Sequence, residues 1–85
     1  MLYRVELLPA AQRSLQRLPK TVQPRILQAL VELESCPRPR GVKKLQGFPD
    51  RWRVRVGVYR IIYRIYDDRL LVLVVEVTHR RDAYR

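Results

Sequence analysis

The chain has 85 residues, 47% of them hydrophobic, which predicts one domain over residues 1–85 with a small core. Its single cysteine and single histidine exclude an internal disulfide and an intrachain zinc site, and no apolar run reaches the roughly 18 residues that a membrane-spanning helix needs. A net charge of +10, carried by 18 basic residues of which 15 are arginine, predicts a polyanionic partner.

The first strand is expected over Leu2 to Leu8, where Tyr3, Val5 and Leu7 alternate with Arg4 and Glu6. These early charges leave no signal-peptide core, so the expected compartment is the reducing cytoplasm. Pro9 ends the strand and opens a helix at its first position. Ala10, Ala11, Leu15 and Leu18 give that helix an apolar stripe, and Pro19 stops it. A second helix follows, with Thr21 as its expected cap and Pro24 in its first turn. Its apolar stripe is Ile26, Leu27, Leu30, Val31 and Leu33. The short connection makes the two helices a hairpin. Cys36 to Gly41 is a turn-rich loop, and Cys36 is expected as a buried or half-buried thiol, not a nucleophile.

After Pro49 the period changes to two. Trp52, Val54 and Val56 alternate with Arg51, Arg53 and Arg55, which predicts a half-buried strand with its guanidiniums outward. Gly57 marks a tight turn. Val58 to Tyr66 is the next strand, with Arg60, Ile62 and Arg64 on one face and Tyr59, Ile61, Tyr63 and Ile65 on the other. Asp67 and Asp68 turn the chain into Leu70 to Val77, apolar on both faces and so expected in a central position. Thr78 to Arg85 is polar, a loop or short helix. Strands grouped after helices predict an α+β fold: strand, helix, helix, strand, strand, strand, with an antiparallel sheet packed against a helical hairpin.

Residues 1–37 carry five basic and three acidic side chains, and residues 38–85 carry thirteen and five. The chemistry such a basic, aromatic-laced surface supports is phosphodiester binding. RNA can be cut by its own 2′-hydroxyl if charge on the phosphoryl oxygens is stabilised, which fixed guanidiniums do. The hydroxyl must also lose a proton, and arginine is a poor acceptor because it stays charged. His79, Tyr84, Lys43 and Lys44 remain as candidate bases; His79 alone has an unperturbed value near neutrality. Each residue also has a plain structural role available. Arg53 and Arg55 suit a solvated strand face, Arg60 an ion pair with Glu76 or Asp67, and Trp52, Tyr59 and Tyr63 the core.

Three stretches taken together carry a family resemblance. They are Gly41-Val42-Lys43-Lys44-Leu45-Gln46-Gly47, then Trp52 through Tyr63, and then Val77-Thr78-His79-Arg80-Arg81-Asp82-Ala83-Tyr84. Over nearly its whole length the chain resembles the RelE/ParE toxin superfamily. The RelE pattern implies catalytic roles for Arg53, Arg55, Arg60, Arg80 and Tyr84. This sequence departs from the pattern by carrying Arg at the first two positions, where well-studied members have Lys, and His79 is the substitute base that some relatives suggest. Lys43, Lys44, Arg51 and Arg81 are the accompanying RNA-binding residues. The resemblance implies a toxin of a type II toxin–antitoxin system that cuts messenger RNA in the ribosomal A site. It implies no cofactor or metal, and an acidic, apolar antitoxin forming a hetero-oligomer with the toxin. The alternative within the superfamily is a ParE-like gyrase poison without nuclease activity. A third reading is an inactive nucleic-acid binder.

Overall fold

The structure is a computed structural model that describes residues 2–45, 47 and 50–79. Its elements are β1 (Arg4–Leu7), α1 (Pro9–Arg17), α2 (Gln23–Ser35), β2 (Lys43–Lys44), β3 (Trp52–Val56), β4 (Tyr59–Tyr66), a short 3₁₀ turn (Asp67–Arg69) and β5 (Leu71–His79). The five strands form one sheet in the order β1-β5-β4-β3-β2. The expected α+β class and the antiparallel meander β3-β4-β5 are present. Two features differ from the sequence expectation. β1 joins beside β5 in parallel, making the sheet mixed, and β2 adds a two-residue edge strand. β5 is central, between β1 and β4.

Both helix starts use proline where its missing N–H costs nothing. The second helix begins later than the sequence suggested. Val22 is its cap and Thr21 makes no capping bond, because the chain is still turning at that residue. The Gln23 side chain instead donates to the carbonyls of Leu18 (2.9 Å) and Gln16 (3.3 Å). One residue of α2 thereby satisfies the exposed end of α1 and fixes the hairpin.

The core lies between the helices and one sheet face. Ala11, Ile26, Leu30 and Leu33 from the helices meet Ile61, Tyr63, Val72, Val74 and Val77 from the sheet. Each large aliphatic side chain fully buried here contributes roughly 1.5–3 kcal/mol. Tyr63 is buried as expected, and its hydroxyl donates to the Pro37 carbonyl at 2.8 Å. Burial pushes its ionisation above the usual phenol range. Trp52 and Tyr59 are half-buried against this core. The helical stripe is narrower than the spacing implied: Leu27 and Val31 are 49% and 55% exposed. Cys36 is also exposed, contrary to expectation, because it falls just past the last turn of α2.

Two local devices set which side chains share a face. Gly57 and Val58 form a two-residue turn, with Gly57 at φ 61°, so Val56 faces Tyr59. A glycine at the first central position is the requirement of a type II′ hairpin. In β5 the pairing skips a residue. Ile62 pairs with Glu76 and Tyr63 with Val74, leaving Val75 as a bulge. The bulge puts Val72, Val74 and Val77 all on the core side, which a strict alternation forbids.

Candidate functional site

The β3–β4 hairpin determines the site. Its register sets Arg55 directly opposite Arg60, and Arg53 opposite Ile62. Directly opposed residues point to the same side of a sheet, as do residues two apart. Arg53, Arg55 and Arg60 therefore share the face away from the helices. The same rule extends the face to Lys43, which pairs with Arg53, and to Thr78 and Glu76, which pair with Arg60 and Ile62. Like charges directly opposed across a sheet are destabilising, so an Arg–Arg pair is not a choice made for stability.

The three arginines differ in burial. Arg55 is exposed, Arg53 half-buried and Arg60 only 1% exposed, with Thr78 beside it at 7%. Burying a guanidinium costs free energy, and a side chain so enclosed has lost its rotamer freedom before a ligand arrives. That is the condition for preorganised electrostatic stabilisation of an anion. Arg60 is not the ion-pair partner of Asp67. Asp67 accepts from both Arg38 nitrogens (3.2 and 2.8 Å) and from the Tyr3 hydroxyl (2.6 Å). Glu76 is exposed on the arginine face.

The remaining sequence candidates are divided. His79 pairs with Tyr59, not Arg60, and meets its ring edge-on at 5.4 Å. Alternation from Thr78 puts His79 on the opposite, core-side face, away from the arginine row. Lys44 pairs with Trp52 and its ammonium lies 5.4 Å over the indole, so it too is on that side, while Lys43 joins Arg53. Arg51 is half-buried just before β3, its carbonyl accepting the Leu45 N–H at 2.9 Å. Arg80, Arg81 and Tyr84 lie outside the described residues.

Several further basic residues join the neighbourhood, of which the strand period had placed Arg64 alone. Arg38 stacks over Trp52 at 5.2 Å while holding Asp67. Arg64, on the arginine face, pairs with Asp50 at 3.0 Å. Arg25 and Arg40 line a groove beside β3. Their helix and loop positions carry no period that links them to the strand, so only the folded chain brings them together. Among the described residues no cluster of three or more metal-ligating side chains occurs, and no helix is long and apolar enough to cross a membrane.

Known proteins resemble this chain in sequence and in fold. A family described as "ParE toxin of type II toxin-antitoxin system, parDE" matches residues 5–84. The chain is 37% identical over 90 residues to Toxin RelG of Mycobacterium tuberculosis, covering 100% of this chain and 99% of that protein. It is 29% identical to the mRNA interferase toxin RelE of Escherichia coli, covering 94% and 85% of the two chains. Among solved structures, a chain of the archaeal RelE–RelB complex from Pyrococcus horikoshii aligns with a TM-score of 0.82 at 34% identity, covering 94% of this chain and 97% of that one. A match over almost the whole length, on a sheet that gathers arginines onto the face away from its helices, means that the chain belongs to the ParE toxin family of type II toxin–antitoxin systems, as a RelE-type member.

Proposed function

We propose that this toxin is a ribosome-dependent endoribonuclease of the cytoplasm. It cuts messenger RNA in the A site by attack of the RNA's own 2′-hydroxyl on the neighbouring phosphate, which arrests translation. The observation that carries the reading is the Arg55–Arg60 pair with Arg53 on the same face, one guanidinium buried and two accessible. Such a cradle supplies positive charge where a pentavalent phosphorane becomes negative. In this scheme Arg60 and Arg53 hold the phosphoryl oxygens, and Arg55 neutralises the leaving oxygen's side. Arg80 and Tyr84 complete the site on the family pattern. Lys43 is the candidate base best supported by placement, because it shares the arginine face and His79 does not. The ribosome supplies in-line geometry, which offsets a weak base.

A cognate antitoxin is the proposed protein partner. The similar archaeal chain was solved as a RelE–RelB complex, and the charge of +10 suits an acidic segment. The mRNA interferase name of the E. coli relative supports RNA as the target. The family description favours the second reading, a ParE-like inhibitor of DNA gyrase.

Primer extension on translating ribosomes tests the proposal. Arg60→Ala is expected to slow cutting by about 10²–10³-fold, the usual loss of one preorganised charge donor. Arg53→Ala, at a less buried position, provides a variant with less structural risk and the same expected direction. Uncut messenger with accumulating DNA breaks overturns the nuclease assignment, and undiminished cutting by both variants overturns the arginine cradle as its catalytic site.

A further inference from the structure

We propose that the groove between α2 and the free outer edge of β3 is a second RNA-backbone site, which holds successive phosphodiesters of the substrate strand flanking the one that is cut. β2 covers β3 only at Trp52 and Arg53, so among the described residues Val54 to Val56 have no strand neighbour on that side. A groove of about 540 Å³ runs along this edge, with Arg25 of α2, Arg40 of the preceding loop and Arg55 of β3 at its rim. A second hollow of about 290 Å³ shares Arg40, Val54 and Arg55 with it and continues to Lys43 and Arg53. The two form one basic track that passes from the arginine face, around the sheet edge, to the helix.

Three observations make this more than diffuse charge. The side chains of Arg25, Arg40 and Arg55 take part in no ion pair or hydrogen bond among the described residues, so their guanidiniums are available. Among the described residues Glu32 is the one carboxylate on these walls. Arg25 also borders the hairpin turn: its Nη2 lies 3.0 Å from where a Cβ on Gly57 would sit, which brings helix and strand charge together at this edge. Guanidinium forks bind phosphate oxygens in pairs, and successive forks along a track match the repeating charge of a nucleic-acid strand. An extended acidic peptide is the competing occupant, since it would meet the same forks and the free strand edge. Continuity favours RNA: Arg53 and Arg55 belong to both the candidate cutting face and the track, so a strand leaving that face enters the groove.

The identity of the strand rests on the nuclease reading, but the test does not. Purified toxin is titrated with a labelled single-stranded RNA made wholly of 2′-O-methyl nucleotides, which lacks the attacking hydroxyl, across a salt series. Arg25→Ala/Arg40→Ala is expected to weaken binding and reduce the log–log salt slope by about 1.4, since each phosphate contact on a single strand contributes about 0.7. The same charge change on α1, Arg13→Ala/Arg17→Ala, is expected to leave the slope nearly intact. Circular dichroism melts confirm that both variants fold. Equal slopes for the two variants overturn the track as a defined site. An unchanged slope in Arg25→Ala/Arg40→Ala, with antitoxin binding lost instead, also overturns it and assigns the groove to an acidic protein. The expected slope change in a toxin that fails to cut ribosome-bound messenger supports the track while removing the nuclease reading.

Discussion

Asp67 shows how much one carboxylate organises in a chain this small. It joins Tyr3 at the first strand, Arg38 after α2 and the turn between β4 and β5. The Arg38 fork, and then the Tyr3 hydroxyl, hold it ionised down to about pH 2, below its usual value of 3.8. The folded state thus binds its proton later than the unfolded chain does, so the cluster's stabilisation is complete above the usual value and fades as pH falls toward the lowered one. At the other extreme, the Asp67 hydrogen bond raises the ionisation of Tyr3, and that contribution is lost only as pH rises through the raised value. Asp67→Asn is expected to melt at lower temperature near neutrality and to show a flatter loss of melting temperature between about pH 4 and about pH 2 than the native chain. An unchanged acid limb in scanning calorimetry would mean the cluster does not contribute. Nothing in the sequence separates Asp67 from its neighbour Asp68, because the partners lie 64 and 29 residues away. Arg60 was legible only in part. Alternation along its strand gave its face, but its burial comes from packing around it.

The two elements that decide the site are a turn and an irregularity. Gly57 needs a positive φ and has the Arg25 guanidinium against it. Gly57→Ala is expected to cost about 1–2 kcal/mol from backbone conformation alone, as a shift in the urea midpoint at constant slope. Ala11 is completely buried in α1, which packs on β5. Ala11→Leu is expected to destabilise by about 1–3 kcal/mol through overpacking, whereas Arg13→Ala on the same helix stays within about 0.5 kcal/mol. Both helices and the three long strands were readable from hydrophobic period and proline placement. β2 was not, since two lysines have no period. The Val75 bulge was hidden by its own sequence, because Leu71 to Val75 is apolar at every position and cannot reveal a skipped residue. That bulge sets the parity of Val77 and Thr78, and hence puts Thr78 beside Arg60 and His79 on the far side. A site reading from sequence that counted alternation without it had no means of separating His79 from the arginines.

For the whole molecule the dominant quantity is charge. At +10 over 85 residues, encounter with any partner of opposite charge is steered electrostatically, and we expect the antitoxin to be one. The association rate is expected to fall at least about tenfold between low and high salt, read by stopped-flow mixing, with a much smaller change in dissociation. A rate indifferent to salt would point to contacts dominated by the exposed Leu27 and Val31 instead. The pairing of β1 with β5 has a different kind of result. The first strand to leave the ribosome finds its only neighbour in the last, more than sixty residues later. Completion of the sheet therefore waits until β5 has been synthesised, and pairings this distant in sequence close slowly. The β3–β4 hairpin that carries Arg53, Arg55 and Arg60 can pair locally before that, so the charged face precedes the closing of the sheet that supports it.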